Sequence, residues 1–483
     1  MTSARTTPGP AADPGDGAGG PAAADTGAGS PATDTHHALS WWDGSTLTST
    51  ATPASTATAT TAGTAAGASS TAEPLLAVRP RRSPLRPGVL VPIGLVVAVL
   101  IAYGVTMGVW PLTAVAPSVT ATAVTAPVAP AASLTWPKAG SAAVAVEGLG
   151  TTLASADTQV TMASITKVVT ALVVLDRMPL QAGQSGPEFR FTYGDRAEYW
   201  QFLRRNESAL DVPAGGTLTQ YQLLEGMLLG SAGNYATRLA YNLWPGPRSF
   251  SSAASDWLAA HGVTGISITD PTGIDPGNTA RPAALIRLAE VAMDDPVIAE
   301  IVAKKSVTLP GAGEVKNTNT LIGDAGVVGL KTGTLDGYNL LVSKDVQVGG
   351  TTVQIDAVTL HQPSEKVRTS ATRALLAQVE KQLAAAPVLP AGTTVGTVRT
   401  DWGESVKVVT TADAAVALWN GARATATTTL KLGDHRAKGD VVGSLTAKGP
   451  VDAATVDVSL AGDVDGPDLW WRLTHPAQLL GIG

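Results

Sequence analysis

Ser164 stands three residues before Lys167, at the start of the apolar run Val168-Val169-Thr170-Ala171-Leu172-Val173-Val174. On a helix, positions i and i+3 share a face, so the hydroxyl and the amine would be neighbours. A serine is a weak nucleophile until a base takes its proton. A lysine can be that base when burial disfavours its charged form, and the apolar run supplies such burial. The chemistry open to this pair is acyl transfer through a serine ester. Farther along, Lys331-Thr332-Gly333-Thr334 follows Val327-Val328-Gly329-Leu330. An ammonium and hydroxyls suit a terminal carboxylate, and Gly333 offers bare backbone that a substrate chain can approach closely. Between the two lies Gly230-Ser231-Ala232-Gly233-Asn234, where a hydroxyl and an amide could relay a proton and hold a peptide amide. Each segment alone is weak. The first also reads as a surface turn, and the third as a helix-initiating cap.

The elements needed to position these groups are legible around them. Residues 164–174 read as a buried helix, and two more helical stretches lie between about 216 and 242. Arg281-Pro282 opens another, with Asn278 or Thr279 as candidate caps and Pro282 near the first helical position. Residues 142–147 and 151–154 read as a β-hairpin around Gly148 and Gly150. Gly326–Leu330, Asn339–Ser343 and Val353–Leu360 read as strands, and a helix covers about 364–384. A strand places successive residues on opposite sides, so Lys331 and its neighbours can be presented along one edge. After 384 the chain turns to alternating apolar and polar residues at Thr394–Thr400, Ser405–Thr410, Ala424–Leu432 and Thr455–Leu460, the pattern of a small β domain. A hairpin, then helices, then more strands indicates an α+β domain at about 136–384, followed by an all-β domain at 385–483.

The three segments, in this order, follow the pattern of the penicillin-recognising serine enzymes. Residues of about 136–384 resemble the catalytic domain of D-alanyl-D-alanine carboxypeptidases, the low-molecular-mass penicillin-binding proteins. Met162-Ala-Ser-Ile-Thr-Lys-Val-Val-Thr-Ala171 resembles the family's nucleophile helix. Thr269-Asp-Pro-Thr-Gly-Ile-Asp-Pro-Gly-Asn278 resembles its loop before the next helix. Asn317-Thr-Asn-Thr-Leu321 with Gly329-Leu-Lys-Thr-Gly333 resembles the run into its third motif. The β domain resembles, less specifically, the accessory domain that follows in many members.

The resemblance implies a serine β-lactamase/DD-peptidase-like fold and no cofactor or metal. It implies that Ser164 attacks the carbonyl of the penultimate D-Ala of a peptidoglycan stem peptide and that Lys167 takes its proton. Ser231 would pass a proton to the leaving D-Ala, and Lys331 and Thr332 would bind the terminal carboxylate. The backbone N–H groups of Ser164 and Thr334 would hold the oxyanion. β-Lactams would be inhibitors.

The sequence departs from the family at one place. The second motif should read S-x-N, but an ungapped reading gives Ser231-Ala232-Gly233, with the asparagine one position late at Asn234. Reading Ala232-Gly233-Asn234 instead keeps the amide and loses the hydroxyl. One position is about 100° of helical rotation. If Asn234 holds the substrate amide, replacing it should slow acylation by a β-lactam. A catalytically degenerate domain that binds wall peptide as a scaffold is the alternative this departure raises. A class A β-lactamase would need a Glu-x-x-x-Asn loop between the second and third segments, and the sequence has none there.

Upstream, residues 1–78 are dominated by Ala, Thr, Gly, Pro, Ser and Asp, a composition expected to stay disordered. Trp41 and Trp42 interrupt it, either as a docking peptide or as an isolated solvated pair. Arg79, Arg81, Arg82 and Arg86 close the tail, so that 1–87 forms one unit with a basic end. Residues 88–112 carry no charge, and Val89–Trp110 is long enough to span a bilayer. The arginines place the N-terminal side in the cytoplasm and everything after Leu112 outside. Ala114-Val115-Ala116 would suit a signal peptidase, but the apolar run is longer than a signal peptide's and starts late. Pro92 is expected in the first turn of the span, where proline is tolerated. Residues 113–135 read as an extended stalk. Trp470 and Trp471 read as core or edge residues of the β domain, or else as a membrane contact.

Composition removes several classes. Net charge is −6 and the pI about 5.6, the opposite of the basic face a nucleic-acid binder carries. There is no cysteine, which excludes disulfides, cysteine-ligated zinc and iron–sulfur clusters. Of the six histidines, His36 and His37 are adjacent in the tail, and no pair has the i, i+4 spacing of a helical metal site.

Overall fold

The computed structural model describes residues 87–384 and 386–482. The tail of 1–78, with its Trp41–Trp42 and His36–His37 pairs, and the arginines from Arg79 to Arg86 lie outside the described residues. The first element, α1, runs Pro87–Val109, 23 residues without a charge. At about 1.5 Å per residue it is roughly 34 Å long. It is long and apolar enough to cross a membrane, and its side chains are almost all exposed. Because it begins at Pro87, Pro92 falls in the second turn, not the first as expected. Its missing N–H leaves the Gly88 carbonyl without a partner four residues on.

After a 3-10 turn at Leu112–Val115, the rest of the stretch 113–135 is extended, as its composition suggested, but it is no free stalk. Ser118–Ala121 forms β1 and pairs antiparallel with residues 396–399. Val128 bridges Arg423, and the Ala129 N–H donates to Ala422 O at 2.9 Å. An extended chain carries a row of unpaired backbone donors and acceptors, and a sheet edge satisfies them.

The helix-and-sheet domain follows in chain order: β2 Ser141–Val146, β3 Leu153–Ala154, β4 Val160–Thr161, α2 Thr166–Arg177, β5 Glu188–Arg190, α3 Tyr193–Arg204, β6 Thr217–Thr219, α4 Gln220–Leu228, α5 Gly233–Leu243, α6 Pro247–Ala260, β7 Ile266–Ser267, β8 Thr279–Ala280, α7 Pro282–Met293, α8 Pro296–Val302, β9 Ser306–Leu309, β10 Gly313–Lys316, β11 Val327–Thr334, β12 Tyr338–Val348, β13 Thr351–Gln362 and α9 Glu365–Ala384. Its main sheet is antiparallel, in the order β11-β12-β13-β2-β3. The strand period of two divides its side chains between two cores. Ala143, Ala145, Leu341, Val358 and Leu360 face α2 and α4 to α8. Ala142, Val144, Val146, Leu340, Val342, Ile355 and Ala357 face Leu375, Leu376, Val379 and Leu383 of α9. Covered on both faces, β2 is buried along its whole length. The expected caps of α7 are corrected: Arg281 precedes the helix without a side-chain cap, Pro282 takes the first helical position, and Thr279 is in β8.

The second domain holds β14 Thr394–Arg399, β15 Ser405–Thr410, β16 Thr425–Leu430, β17 Val441–Lys448 and β18 Ala453–Leu460, in one antiparallel sheet of order β1-β14-β15-β18-β17-β16. Four of these strands were read from the sequence and β17 was not. The fold is thus α+β followed by all-β. Two short helices close it, α10 Leu469–Thr474 and α11 Pro476–Leu480. Trp470 and Trp471 are on α10, so neither is a core or edge residue of the β sheet.

Candidate active site

A 3-10 turn, Ala163–Ile165, precedes α2 and lies against β11. The approach is close because Gly333 has no side chain: a Cβ there would stand 2.7 Å from Met162 O and 3.3 Å from the Ser164 nitrogen. The sequence assigned this glycine to substrate approach. Its near neighbour is the turn that carries Ser164.

Ser164 is in that turn and Lys167 in the first turn of α2, three residues on and on the same side. Lys167 Nζ donates to Ser164 Oγ at 2.8 Å and to the Thr272 carbonyl at 2.5 Å. Lys167 is 1% exposed, whereas Ser164 is half-buried at the floor of a cleft. Burial brings the Lys167 amine down to about 7, against the pull of Asp270 and Glu207, which favour its charge. A hydroxyl held by a nearly neutral amine, with one face open to solvent, can form an ester and can pass a proton.

The Thr272 carbonyl is held by a loop built around Asp270. Its carboxylate accepts from the Thr272 backbone N–H at 2.5 Å and hydroxyl at 2.6 Å, from the Gly273 N–H at 2.9 Å, from the Asp275 N–H at 2.7 Å and from Asn278 Nδ2 at 2.9 Å. Asn278, expected as a helix cap, is fully buried here, and its Oδ1 accepts from the Thr269 N–H at 3.0 Å. Gly273 has φ +79°, and a Cβ on it would lie 2.0 Å from Ala163 O. Gly273→Ala should therefore push the loop off the Ser164 turn. The expected results are a loss of more than about 1 kcal/mol in a chemical melt and slower covalent capture of a β-lactam by the surviving folded protein. An unchanged capture rate would show that the loop's position does not matter to Ser164.

Lys331 is fully buried, and Nζ donates to Thr332 O at 3.1 Å. Burial, then the charges of Lys167 and Arg368, hold its amine well below the ordinary lysine range. Thr332 Oγ1 shares a 2.7 Å hydrogen bond with Thr318 Oγ1. The cleft, about 360 Å³, is lined by Ser164, Ser231, Thr332, Gly333 and Thr334 together with Ser208, Thr318 and Arg368.

Ser231 is in the tight link between α4 and α5, with φ +61°, a strained backbone for a non-glycine residue. The structure brings it to the cleft but does not bring Asn234 there. Asn234 Nδ2 donates to Leu210 O at 2.8 Å, and its Oδ1 accepts from the Leu210 N–H at 3.1 Å. It lines a separate hollow with Phe191, Asp195, Arg238 and Tyr241. Gly233, the third place of the ungapped reading, donates its N–H to Ser208 O at 2.8 Å. A Cβ there would meet the Phe202 ring at 2.9 Å. The space a side chain at this place would need is taken by Phe202 of α3 and by the Ser208 carbonyl.

Sequence reasoning missed Arg368, Ser208 and Thr318. Arg368 is in the first turns of α9 and is 4% exposed. One nitrogen donates to Glu365 at 3.0 Å, and among the described residues Nε has no partner. A guanidinium at a cleft wall beside hydroxyls is equipment for a carboxylate. The only signal in the sequence was a charged residue on the inward face of a helix otherwise packed through Leu375, Leu376 and Val379.

A serine on a desolvated lysine, at the floor of a cleft walled by hydroxyls and cations, is the apparatus of serine acyl transfer. Residues 137–362, a little under half of the chain, match the family model described as D-alanyl-D-alanine carboxypeptidase. A curated relative, D-alanyl-D-alanine carboxypeptidase DacB2 of Mycobacterium tuberculosis (strain ATCC 25618 / H37Rv), is 32% identical over 179 residues. The match takes in 35% of this chain and spans 57% of that relative's length. Among solved structures, the Streptomyces K15 DD-transpeptidase is 24% identical, with 51% of this chain and 98% of the other covered, at a TM-score of 0.44. Penicillin-binding protein 5 from Haemophilus influenzae is 19% identical, with 69% and 99% covered, at a TM-score of 0.47.

Proposed function

We propose that residues 136–384 act as a serine D-Ala-D-Ala carboxypeptidase on peptidoglycan stem peptides, held at the outer face of a membrane by α1. The observation that carries this reading is the 2.8 Å contact between Lys167 Nζ and Ser164 Oγ, with the lysine buried. Ser164 Oγ attacks the carbonyl carbon of the penultimate D-Ala as its proton moves to the Lys167 amine. The oxyanion is met by the backbone N–H groups of Ser164 and Thr334, commonly the largest electrostatic contribution in acyl transfer. The C–N bond then breaks, and the proton reaches the departing D-Ala amine from Lys167 by way of Ser231. Water, deprotonated by Lys167, hydrolyses the ester and restores Ser164. Thr332 and Arg368 face the terminal carboxylate. Lys331, buried behind them, holds the Thr332 backbone through its hydrogen bond to Thr332 O and does not itself meet the carboxylate, the contact first assigned to it. A β-lactam enters as a cyclic mimic of the scissile amide and stops at the ester. Asn234 acts by fixing Leu210 and the Ser208 loop. The arginines at 79–86 favour a cytoplasmic N-terminus, and the domains then lie outside the cell.

Gly233 favours one second reading, a wall-peptide-binding domain without turnover, because no side-chain amide stands at the third place of S-x-N. The full chain in detergent should capture benzylpenicillin covalently and release D-Ala from a diacyl-Lys-D-Ala-D-Ala peptide in the same preparation. Capture without release would support the binding reading, and failure of both would overturn the enzyme reading.

A further inference from the structure

The last described helices touch the β sheet at its β14–β15 turn, where Trp402 meets Trp471 edge-on. They rest on α1. The Tyr103 hydroxyl donates to Leu473 O at 2.8 Å. Leu469 Cδ1 lies 3.6 Å from the place of a Cβ on Gly108, so α10 runs back along α1 from its end toward its middle. Leu479 of α11 is buried with Met107 and Val115, and Leu112, Trp402, Trp471 and Leu473 pack around them. Arg472 Nη1 donates to the carbonyls of Gly108 at 3.1 Å and Trp110 at 3.0 Å, with a longer contact to Met107 O at 3.4 Å. These carbonyls end α1 and have no helical partner, so a cation there satisfies them and complements the helix dipole.

The outward side of the same hairpin is apolar. Trp470 is 73% exposed and Ile482 75%, with Leu469 and Leu480 also exposed. This surface continues that of α1. Thr474 and His475 are satisfied within the hairpin: Thr474 Oγ1 donates to Trp470 O at 2.8 Å, and the His475 ring stacks on Trp471 at 4.7 Å and bonds to its carbonyl, while the Gln478 side chain is exposed. Apolar outside and internally satisfied inside is what backbone in lipid requires. Tyr103 is six residues before Val109, so the hairpin descends about 9 Å beside the span. Interfacial helices bury to a similar depth, about 5–10 Å.

We infer that α10 and α11 form an interfacial hairpin, with Leu469, Trp470, Leu480 and Ile482 seated in the lipid surface that α1 crosses. This rests on the reading of α1 as a span. The partner is the bilayer boundary, chosen because the patch is continuous with the span's own lipid-facing surface.

The chain has no cysteine, so single cysteines can be placed without background. Trp470→Cys, Ile482→Cys, Leu95→Cys in mid-span and Asp256→Cys on exposed α6 are each made in the full chain, labelled with an environment-sensitive fluorophore and reconstituted into phosphatidylcholine–phosphatidylglycerol vesicles. Labels at 470 and 482 should emit blue-shifted. Nitroxides near the lipid carbonyls should quench them at least about twofold more than nitroxides deep in the acyl chains. The label at 95 should show the reverse, and that at 256 neither. Water-like emission at 470 and 482 with a lipid-buried 95 would overturn the hairpin and keep the span. A water-exposed 95 would overturn both. A blue shift without lipid quenching, growing with protein concentration, would assign the patch to a second copy and overturn the inference.

Discussion

Ser164→Ala should leave a folded protein that gains no mass from benzylpenicillin and releases no D-Ala. The expected fall in acylation is roughly 10⁴-fold or more, because the covalent route is removed and only the scaffold of the cleft survives. Folding should be spared. The hydroxyl's hydrogen bond is to Lys167 Nζ, and that amine keeps the Thr272 carbonyl as an acceptor. The measurement is intact-mass analysis of variant and wild type side by side, with circular dichroism as the check on folding. An adduct on the variant would mean that another cleft hydroxyl is the nucleophile. Ser231 and Ser208 are the ones to test next, since both line the same cleft.

Lys167→Met should reduce acylation by about 10²–10⁴-fold, the range for losing a positioned base. The pH profile gives the sharper test. Lys167 must be neutral to accept the Ser164 proton, and burial holds its amine near 7. The rate should therefore climb with pH, pass half-maximum near 7 and level off above, whereas a lysine at its ordinary value would still be climbing at pH 9. Lys167→Arg should fail as fully as Lys167→Met, since a guanidinium does not give up its proton. A wild-type profile flat between pH 6 and 8.5 would remove Lys167 from the role of base. Stopped-flow acylation with a chromogenic cephalosporin across this range decides it.

Much of the architecture was legible because it is local. The Ser164–Lys167 pair needed only helical spacing and an apolar run behind it, and β11 to β13 showed as apolar segments broken by glycine. What was not legible is held by atoms that a sequence does not display. The partner that orients Lys167 is the carbonyl of Thr272, 105 residues away, and every residue has a carbonyl. Asn234 looked like a displaced catalytic amide because its pairing with the Leu210 backbone joins two loops, and neither loop advertises the other. Arg368 was passed over because one inward charge in an amphipathic helix resembles noise until the cleft it faces is assembled. β1 was missed because Ser118–Ala121 has little pattern of its own, and it becomes a strand by lying on an edge built from residues far downstream.

That last pairing constrains how the molecule is made. Ser118 meets Arg399 and Ala121 meets Gly396, so the whole helix-and-sheet domain is an insertion between neighbouring strands of one sheet. During synthesis β1 must wait for some 280 residues to emerge, while the domain between folds through nearer contacts. A chain cut to begin at Trp136 would reach the same catalytic fold but leave the outer edge of β14 bare, an invitation to pair with another molecule. Soluble versions should start before Ser118, and the short segment that looked like a spacer then serves as the seal of the second domain.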